Sequence, residues 1–188
     1  MQYIKHYESP LGGILLAADE IGLTGLWFEG QKYYAAGMPG TENEERDLPV
    51  FRETQRWLDI YFSGREPDFM PAVHLIGTDF QVRVWELLSQ IPYGKTVTYG
   101  EIARRLPAGE GGSEAGRTGT GRTSARAVGG AVGHNKISII IPCHRVVGAG
   151  GSLTGYAGGI ERKRKLLELE KADSETLTGF LFPWENLQ

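Results

Sequence analysis

Residues 124–147 have the sequence SARAVGGAVGHNKISIIIPCHRVV, and the rest of the chain is organised around this stretch. Ser124 is a suitable N-cap for a helix that begins with the small residues after it. Gly129 and Gly130 lie inside that predicted helix and each cost roughly 1 kcal/mol relative to alanine, which indicates that another backbone approaches closely there. The apolar run that follows predicts a strand that leads to Cys143.

Two helix starts precede this stretch. Residues 78–81, Thr-Asp-Phe-Gln, and residues 98–101, Thr-Tyr-Gly-Glu, both have the capping-box pattern. After the first box, apolar residues recur at helical spacing at Phe80, Val84, Leu87, Leu88 and Ile91. Residues 107–123 are rich in glycine and almost free of apolar side chains, so we expect a mobile loop. Helix, connection and small-residue helix outline a helix-turn-helix, although two consecutive helices are also common in other folds.

The N-terminal part has a different pattern. The first 30 residues alternate short apolar runs with glycine and Ser-Pro, which predicts three antiparallel strands. An acidic loop over residues 37–48 leads to an amphipathic helix that Gly64 ends. We therefore predict an α+β fold with an N-terminal lobe over residues 1–75.

The second predicted lobe covers residues 78–172 and is followed by a C-terminal tail, residues 173–188. After Cys143, the segment 144–159 is rich in glycine and predicts a hairpin or wing. Residues 160–172 predict a helix whose basic first half gives way to leucines. We expect the aromatic residues of the tail to pack on the body of the protein.

Charge differs between the two lobes. Residues 1–75 hold 6 Lys and Arg against 12 Asp and Glu, whereas residues 80–167 hold 13 against 5. A basic lobe of this kind fits either an ordinary solvated surface or a polyanionic partner, and charge alone does not separate the two.

Composition restricts the classes of protein that the sequence fits. No run of about 18 apolar residues is present, so we expect no membrane association. The chain has a single cysteine, which rules out an intrachain disulfide and a cysteine-based zinc cluster, and its four histidines lack metal-ligand spacing. We therefore expect a soluble protein of the reducing cytoplasm without a metal or cofactor.

Cys143 is the candidate nucleophile. A free thiol with a pKa near 8.5 is only about 3% ionised at pH 7, so it needs a base or a positive charge nearby. His144 and Arg145 are candidates for that help, but neighbours on an extended segment point to opposite faces, so His144 would act through a water or through a turn. A carboxylate behind the histidine would hold its tautomer. The competing interpretation is a buried cysteine that serves only as a small apolar residue.

Three motifs carry a specific resemblance. The segments ARAVGGAVGHN, IPCHRVV and GYAGGIERKRKLLELE resemble, in this order, the O6-alkylguanine-DNA alkyltransferases, or methylated-DNA–protein-cysteine methyltransferases. The resemblance runs from about Phe80 to Glu170. It implies a ribonuclease-H-like N-terminal lobe and a winged helix-turn-helix-like C-terminal lobe. It also implies repair of double-stranded DNA by a single-turnover transfer of an alkyl group from O6 of an everted guanine to Cys143, with O4-alkylthymine left open as a second substrate.

The resemblance assigns roles to individual residues. His144 draws the thiol proton through a water, and Glu170 orients His144. Asn135 makes the turn that couples the recognition helix to the active site. Tyr99 helps to rotate the target nucleotide out of the duplex. Arg126 enters the base stack and fills the space that the everted base leaves.

Further residues follow from the same motifs. The implied DNA-binding surface consists of Tyr99, Ala125, Arg126, Ala127, Gly129 and Gly130, to which we add Arg145 because its charge makes it a candidate for contact with phosphate. The implied substrate pocket consists of Tyr99, Val146, Gly148, Tyr156 and Ala157. We expect a monomer, with cooperative binding to DNA left open.

The sequence departs from the family at three points. The Gly-rich connection over residues 107–123 is longer than the family's turn, the N-terminal lobe has no cysteines for a zinc site, and Ala157 stands where serine is common. Three other interpretations compete: a lesion-recognition protein without transfer activity, a winged-helix regulator and a cysteine hydrolase. The first of these lacks the acceptor cysteine, which this chain has.

Overall fold

The computed structural model describes residues 1–38, 43–107 and 123–172. Most of the Gly-rich connection and the whole C-terminal tail lie outside the described residues, so the predictions for both segments stay predictions. In the described part no helix is long and apolar enough to cross a membrane.

The N-terminal lobe contains a four-stranded sheet. Its strands are β1 (Gln2–Ser9), β2 (Gly12–Ala18), β3 (Leu23–Phe28) and β4 (Asn43–Glu45), in the order β3-β2-β1-β4. β1, β2 and β3 are antiparallel, which confirms the three predicted strands. β4 pairs in parallel with β1 inside the predicted acidic loop, and since all three of its residues are exposed, no apolar pattern reveals it.

Helix α1 (Pro49–Phe62) covers the sheet. It is amphipathic as predicted, with Phe51, Trp57, Leu58 and Tyr61 buried. Gly64 follows the helix with a φ of 79°, a left-handed conformation that favours glycine and ends the helix.

Helices make up most of the C-terminal lobe. They are α2 (Asp79–Leu88), α3 (Tyr99–Arg105), α4 (Ala125–Gly133) and α5 (Ile160–Leu169). Both predicted capping boxes are present, and the side chain of Ser124 accepts a hydrogen bond from the backbone of Ala127 at the start of α4. α4 packs against α2 and α3, and Trp85 Nε1 donates to the carbonyl of Ala131, 2.8 Å away.

The segment before Cys143 is not the strand that its apolar run predicts. Ile139 has a φ of 69°, and residues 138–140 form a turn, with a single bridge between Ile137 and Leu26 of β3. The isoleucines are buried on all sides, and a fully buried run has no periodicity that separates a strand from a turn. Cys143–Arg145 then form a 3₁₀ turn rather than an extended segment, so the rule that neighbouring side chains point to opposite faces does not apply to Cys143 and His144.

The predicted hairpin after Cys143 is also wrong. β6 (Val146–Val147) pairs in parallel with β5 (Val97–Thr98), the strand before α3. A second 3₁₀ turn, Ala149–Gly151, follows it. The partner strand lies about 50 residues upstream, so local turn signals in residues 144–159 cannot indicate the pairing.

The two predicted lobes share one apolar core. A single buried cluster contains Leu23, Phe51 and Tyr61 of the N-terminal lobe together with Cys143 and Leu166 of the C-terminal lobe. The packing between lobes therefore fixes how α1 lies against the turn that carries Cys143.

The capping box of α3 gives the first testable prediction. Thr98→Ala removes the hydroxyl that accepts from the backbone of Glu101, so we expect the free energy of unfolding in urea to fall by about 1 kcal/mol. Thr98→Ser keeps the hydroxyl and should recover most of that loss. Equal stabilities of the alanine and serine variants would show that the cap does not hold this helix.

Candidate active site

Cys143 lies inside the protein at the start of the 3₁₀ turn. Its side chain is buried, and its sulfur accepts a hydrogen bond from Asn135 Nδ2 at 3.1 Å. Its backbone N–H donates to the carbonyl of Ile141. The sulfur is therefore held in one position by both side-chain and backbone contacts.

Asn135 connects helix α4 to this turn. Its Nδ2 also donates to the carbonyl of Ile141 at 2.8 Å, and its Oδ1 accepts from the backbone of Ile137 at 3.0 Å. Asn135 therefore bonds to both ends of the segment 137–141, which contains the buried isoleucines. A movement of α4 would therefore shift Asn135 and change its hydrogen bond to the sulfur of Cys143.

The thiol of Cys143 is protonated in the resting protein. Burial raises its pKa, while the hydrogen bond from Asn135 and the charge of Lys163 act in the opposite direction. A base is consequently required before this sulfur can act as a nucleophile.

His144 is placed to be that base. Its ring is completely buried, and Nε2 lies 2.6 Å from Glu170 Oε1. Burial lowers the pKa of His144 against the opposing effect of Glu170, so the imidazole is neutral. Because an ionised carboxylate only accepts hydrogen bonds, the proton is assigned to Nε2. Nδ1 is then the basic nitrogen, and it has no hydrogen-bond partner among the described residues.

Among the described residues, Glu170 accepts five hydrogen bonds. Its Oε1 accepts from His144, from the hydroxyl of Tyr61 at 2.6 Å and from Arg145 Nη2 at 3.1 Å. Its Oε2 accepts from Arg145 Nε at 2.9 Å and from the backbone of Gly94 at 3.0 Å. Burial alone would raise the pKa of this carboxyl, but His144 and Arg145 outweigh it and hold the pKa well below its usual range. Glu170 is therefore a buried anion.

The structure contradicts the expectation that Arg145 contacts DNA. Its guanidinium is buried, because it pairs with Glu170 and donates from Nη1 to the carbonyl of Ile91 at 2.6 Å. A side chain that neutralises an interior carboxylate is not available to a partner at the surface.

Lys163 is a site residue that the sequence analysis missed. It is completely buried, and its ammonium donates to the carbonyls of Val146 and Thr154. Burial lowers its pKa to about 8, although a thiolate at Cys143 would raise it again. The available signal was its position three residues before the buried Leu166, which puts both on one helix face.

A groove of about 470 Å³ lies between α4, Tyr99 and residues 154–157. Its lining includes six of the predicted DNA-binding and pocket residues: Tyr99, Ala125, Gly129, Gly130, Tyr156 and Ala157. The hydroxyl of Tyr99 donates to the carbonyls of Thr154 and Gly155. Burial, and then the charge of a thiolate at Cys143, raise the pKa of both Tyr99 and Tyr156, so the sulfur lies close to these two phenols.

Besides the buried Arg145, four of the predicted residues do not line the groove. Val146 is fully buried and Gly148 bonds through its backbone to Ser152, so the pocket wall is formed further along, at residues 154–157. Arg126 is exposed and Ala127 half-buried at the start of α4, outside the groove lining.

The glycines of α4 are not explained by packing within the protein. A Cβ at Gly130 would meet nothing within 4 Å, and one at Gly129 would make ordinary contact with Tyr99. The close backbone approach that these residues predict is therefore not made inside the described protein, and their surface is open to the groove.

The N-terminal lobe contributes part of the groove, which sequence reasoning also missed. Lys32 and Tyr33 line it, and the backbone of Lys32 donates to the carbonyl of Ala157. The ring of Tyr33 stacks on His134 at 4.3 Å between centroids. No local pattern indicates contacts between residues about 100 positions apart.

Fold and site together define a class of protein: one that holds a single buried thiol, with a histidine–carboxylate pair behind it, beside an open groove on a small-residue helix. Comparison with known families agrees. The family model for the 6-O-methylguanine DNA methyltransferase, DNA binding domain, matches residues 79–172. The model for the ribonuclease-like domain of the same family matches residues 2–73.

Individual relatives cover nearly the whole chain. The methylated-DNA–protein-cysteine methyltransferases of Mycobacterium tuberculosis and Methanosarcina acetivorans are 45% and 46% identical to it, over 92% and 89% of this chain and 94% and 97% of theirs. The crystal structure of Mycobacterium tuberculosis OGT in complex with DNA has a TM-score of 0.73 at 43% identity, over 93% of this chain and 96% of that one. The chain belongs to the 6-O-methylguanine DNA methyltransferase family.

Asn135 gives a prediction about the thiol. Asn135→Ala removes the hydrogen bond that lowers the pKa of Cys143, so thiolate formation should move to higher pH. The ultraviolet absorbance of the thiolate, followed against pH with Cys143→Ser as the blank, measures this directly. His134→Ala, at the neighbouring exposed residue, is the matched control and should leave the midpoint unchanged. An unchanged midpoint in Asn135→Ala would contradict the role of this bond.

Proposed function

We propose that this protein repairs alkylated DNA by direct reversal, through a single-turnover transfer of the alkyl group from O6-alkylguanine to Cys143. The observation that carries the proposal is the chain of contacts from Asn135 to Cys143 and from His144 to Glu170. It provides a positioned thiol and a neutral base backed by an anion, which are the requirements of an activated cysteine nucleophile.

The chemistry follows from the charge states of these groups. His144 Nδ1 accepts the thiol proton through a bridging water, and the resulting imidazolium is stabilised by Glu170, which keeps its charge. The thiolate attacks the alkyl carbon, so the S–C bond forms as the bond from that carbon to O6 breaks. The electron pair stays on the guanine, whose ring takes up a proton with Tyr99 as the nearby donor. The product is an S-alkylcysteine that the protein does not regenerate.

DNA is the partner that this family membership supports, and the finer details are our inference. O6 of guanine is stacked inside a duplex, so the nucleotide must be everted at a cost on the order of a few kcal/mol. The glycines of α4 leave room for a DNA backbone to come close. In our proposal Arg126, which is exposed at the start of α4, fills the space of the everted base. Binding of this type depends on shape and phosphates more than on sequence.

Substrate range and assembly are further parts of the proposal. O6-alkylguanine is the main substrate and O4-alkylthymine a secondary one, and the protein acts as a monomer. Ala157 lines the groove without the hydroxyl that serine would supply there, which changes the contacts available to a base. A lone reactive thiol is best preserved in a reducing compartment, so we infer that the protein works in the cytoplasm.

A lesion-recognition protein without transfer activity is the alternative that this site disfavours. Such a protein needs the groove and the basic surface but not a thiol. Here a cysteine is present, and Asn135, His144 and Glu170 are all arranged around it.

Stoichiometry tests the proposal. Duplex DNA labelled on the methyl group of O6-methylguanine should transfer about one label to each chain, and Cys143→Ser should transfer none, because the oxygen of serine is a much weaker nucleophile. The intact mass of the treated protein should rise by one CH₂ group. Release of free label with repeated turnover would identify a hydrolase instead, and an unchanged mass would contradict the proposal.

A further inference from the structure

Tyr61 brings a hydroxyl from the N-terminal lobe into the site of the other lobe. It lies in the last turn of α1, is completely buried, and donates to Glu170 Oε1 at 2.6 Å. The other four hydrogen bonds described for Glu170 come from His144, Arg145 and Gly94, all in the C-terminal lobe. The same hydroxyl lies 3.4 Å from His144 Nε2.

The ring of Tyr61 is fixed by aromatic neighbours on several sides. It stacks on Trp57 with a centroid distance of 5.2 Å, and it meets Tyr93 and His144 edge-on at 6.1 and 6.4 Å. Offset and edge-on pairs of this kind resist rotation of the ring. The hydroxyl therefore reaches Glu170 from a defined direction.

The phenol of Tyr61 remains protonated and so always donates its hydrogen bond to Glu170. Burial first, and then the charge of Glu170, raise its pKa well above the usual value, so the phenol stays neutral. The other titratable groups that interact with Tyr61 or Glu170 are His144, Arg145 and the phenols Tyr93 and Tyr156, while Lys163 acts on His144. Arg145 acts on both oxygens of Glu170, whereas Tyr61 acts on the one that His144 uses.

We propose that Tyr61 is a positioning residue of the alkyl-acceptor site: its hydroxyl fixes the Glu170 carboxylate against His144 Nε2, and so makes the N-terminal lobe part of the machinery that prepares the cysteine. This inference rests on the proposed function. It assigns the lobe a task in the reaction beyond its packing.

Tyr61 and His144, together with Arg145 Nη2, compete for the negative charge on Glu170 Oε1. Without the hydroxyl of Tyr61, more of that charge faces the imidazole, which favours the imidazolium and raises the pKa of His144. The neutral base then becomes scarce at low pH. A tyrosine that served only as a core aromatic would affect stability without this dependence on pH.

Tyr61→Phe tests the role because it keeps the ring and removes only the hydroxyl. If the pKa of His144 rises by about one, transfer from duplex DNA containing O6-methylguanine should slow by a factor that grows as the pH falls and approaches tenfold below both pKa values, whereas at pH 9 the two rates should agree because His144 is neutral in both proteins. Tyr7→Phe is the matched control, since Tyr7 also donates to a carboxylate on α1, Asp59, at 2.7 Å but away from the site. Its pH profile should coincide with that of the unaltered protein.

The outcomes separate this inference from the proposed function. If the unaltered protein transfers the methyl group and Tyr61→Phe has the same pH profile, the role of Tyr61 is overturned while the proposed function stands. A lower thermal stability of Tyr61→Phe would not change that conclusion. No transfer by the unaltered protein overturns the proposed function.

A second measurement does not depend on activity or on the folding of a variant. Nitrogen NMR of the unaltered protein should show His144 protonated on Nε2, with the hydroxyl proton of Tyr61 protected from exchange. Rapid exchange of that proton contradicts the proposed contact.

Discussion

The buried carboxylate of Glu170 is the constraint on which the rest of the structure depends. An isolated anion in the interior is very unfavourable, so it exists only where donors surround it. Here Tyr61 of α1, Gly94 after α2, and His144 and Arg145 of the 3₁₀ turn all converge on its two oxygens. Removing any one of these segments would leave a charge unsatisfied in the core. The requirement to satisfy Glu170 therefore ties both lobes to the turn that carries Cys143.

This arrangement separates the tasks of three neighbouring side chains. Arg145 neutralises Glu170, so the carboxylate does not need to take a proton from His144. His144 stays neutral because burial lowers its pKa, and it keeps Nδ1 free as the base. Cys143 stays protonated until that base acts. A thiol that stays protonated until a base acts on it suits the single-turnover transfer proposed above.

Local signals were enough to predict much of the fold, and long-range contacts were not. The capping boxes at Thr78 and Thr98 and the cap at Ser124 were predictable because each involves residues three positions apart. The turn before Cys143 was not, because a run buried on all sides has no period. The motifs indicated Cys143, His144, Asn135 and Glu170, which the structure brings together. Tyr61, Lys163 and the Tyr33 wall of the groove were missed because they reach the site from distant elements, and Arg145 was misassigned because charge suggested exposure.

The most direct test of the account is the rate of a single alkyl transfer by Glu170→Gln. This change keeps the size and one acceptor oxygen of the side chain but removes the charge that stabilises the imidazolium. In protein whose circular dichroism shows a native fold, the rate of methyl transfer from duplex DNA at pH 7 should fall at least tenfold, as is usual when the group that orients a catalytic histidine is lost. A rate equal to that of the unaltered protein would contradict the central claim that this buried anion prepares Cys143 for reaction.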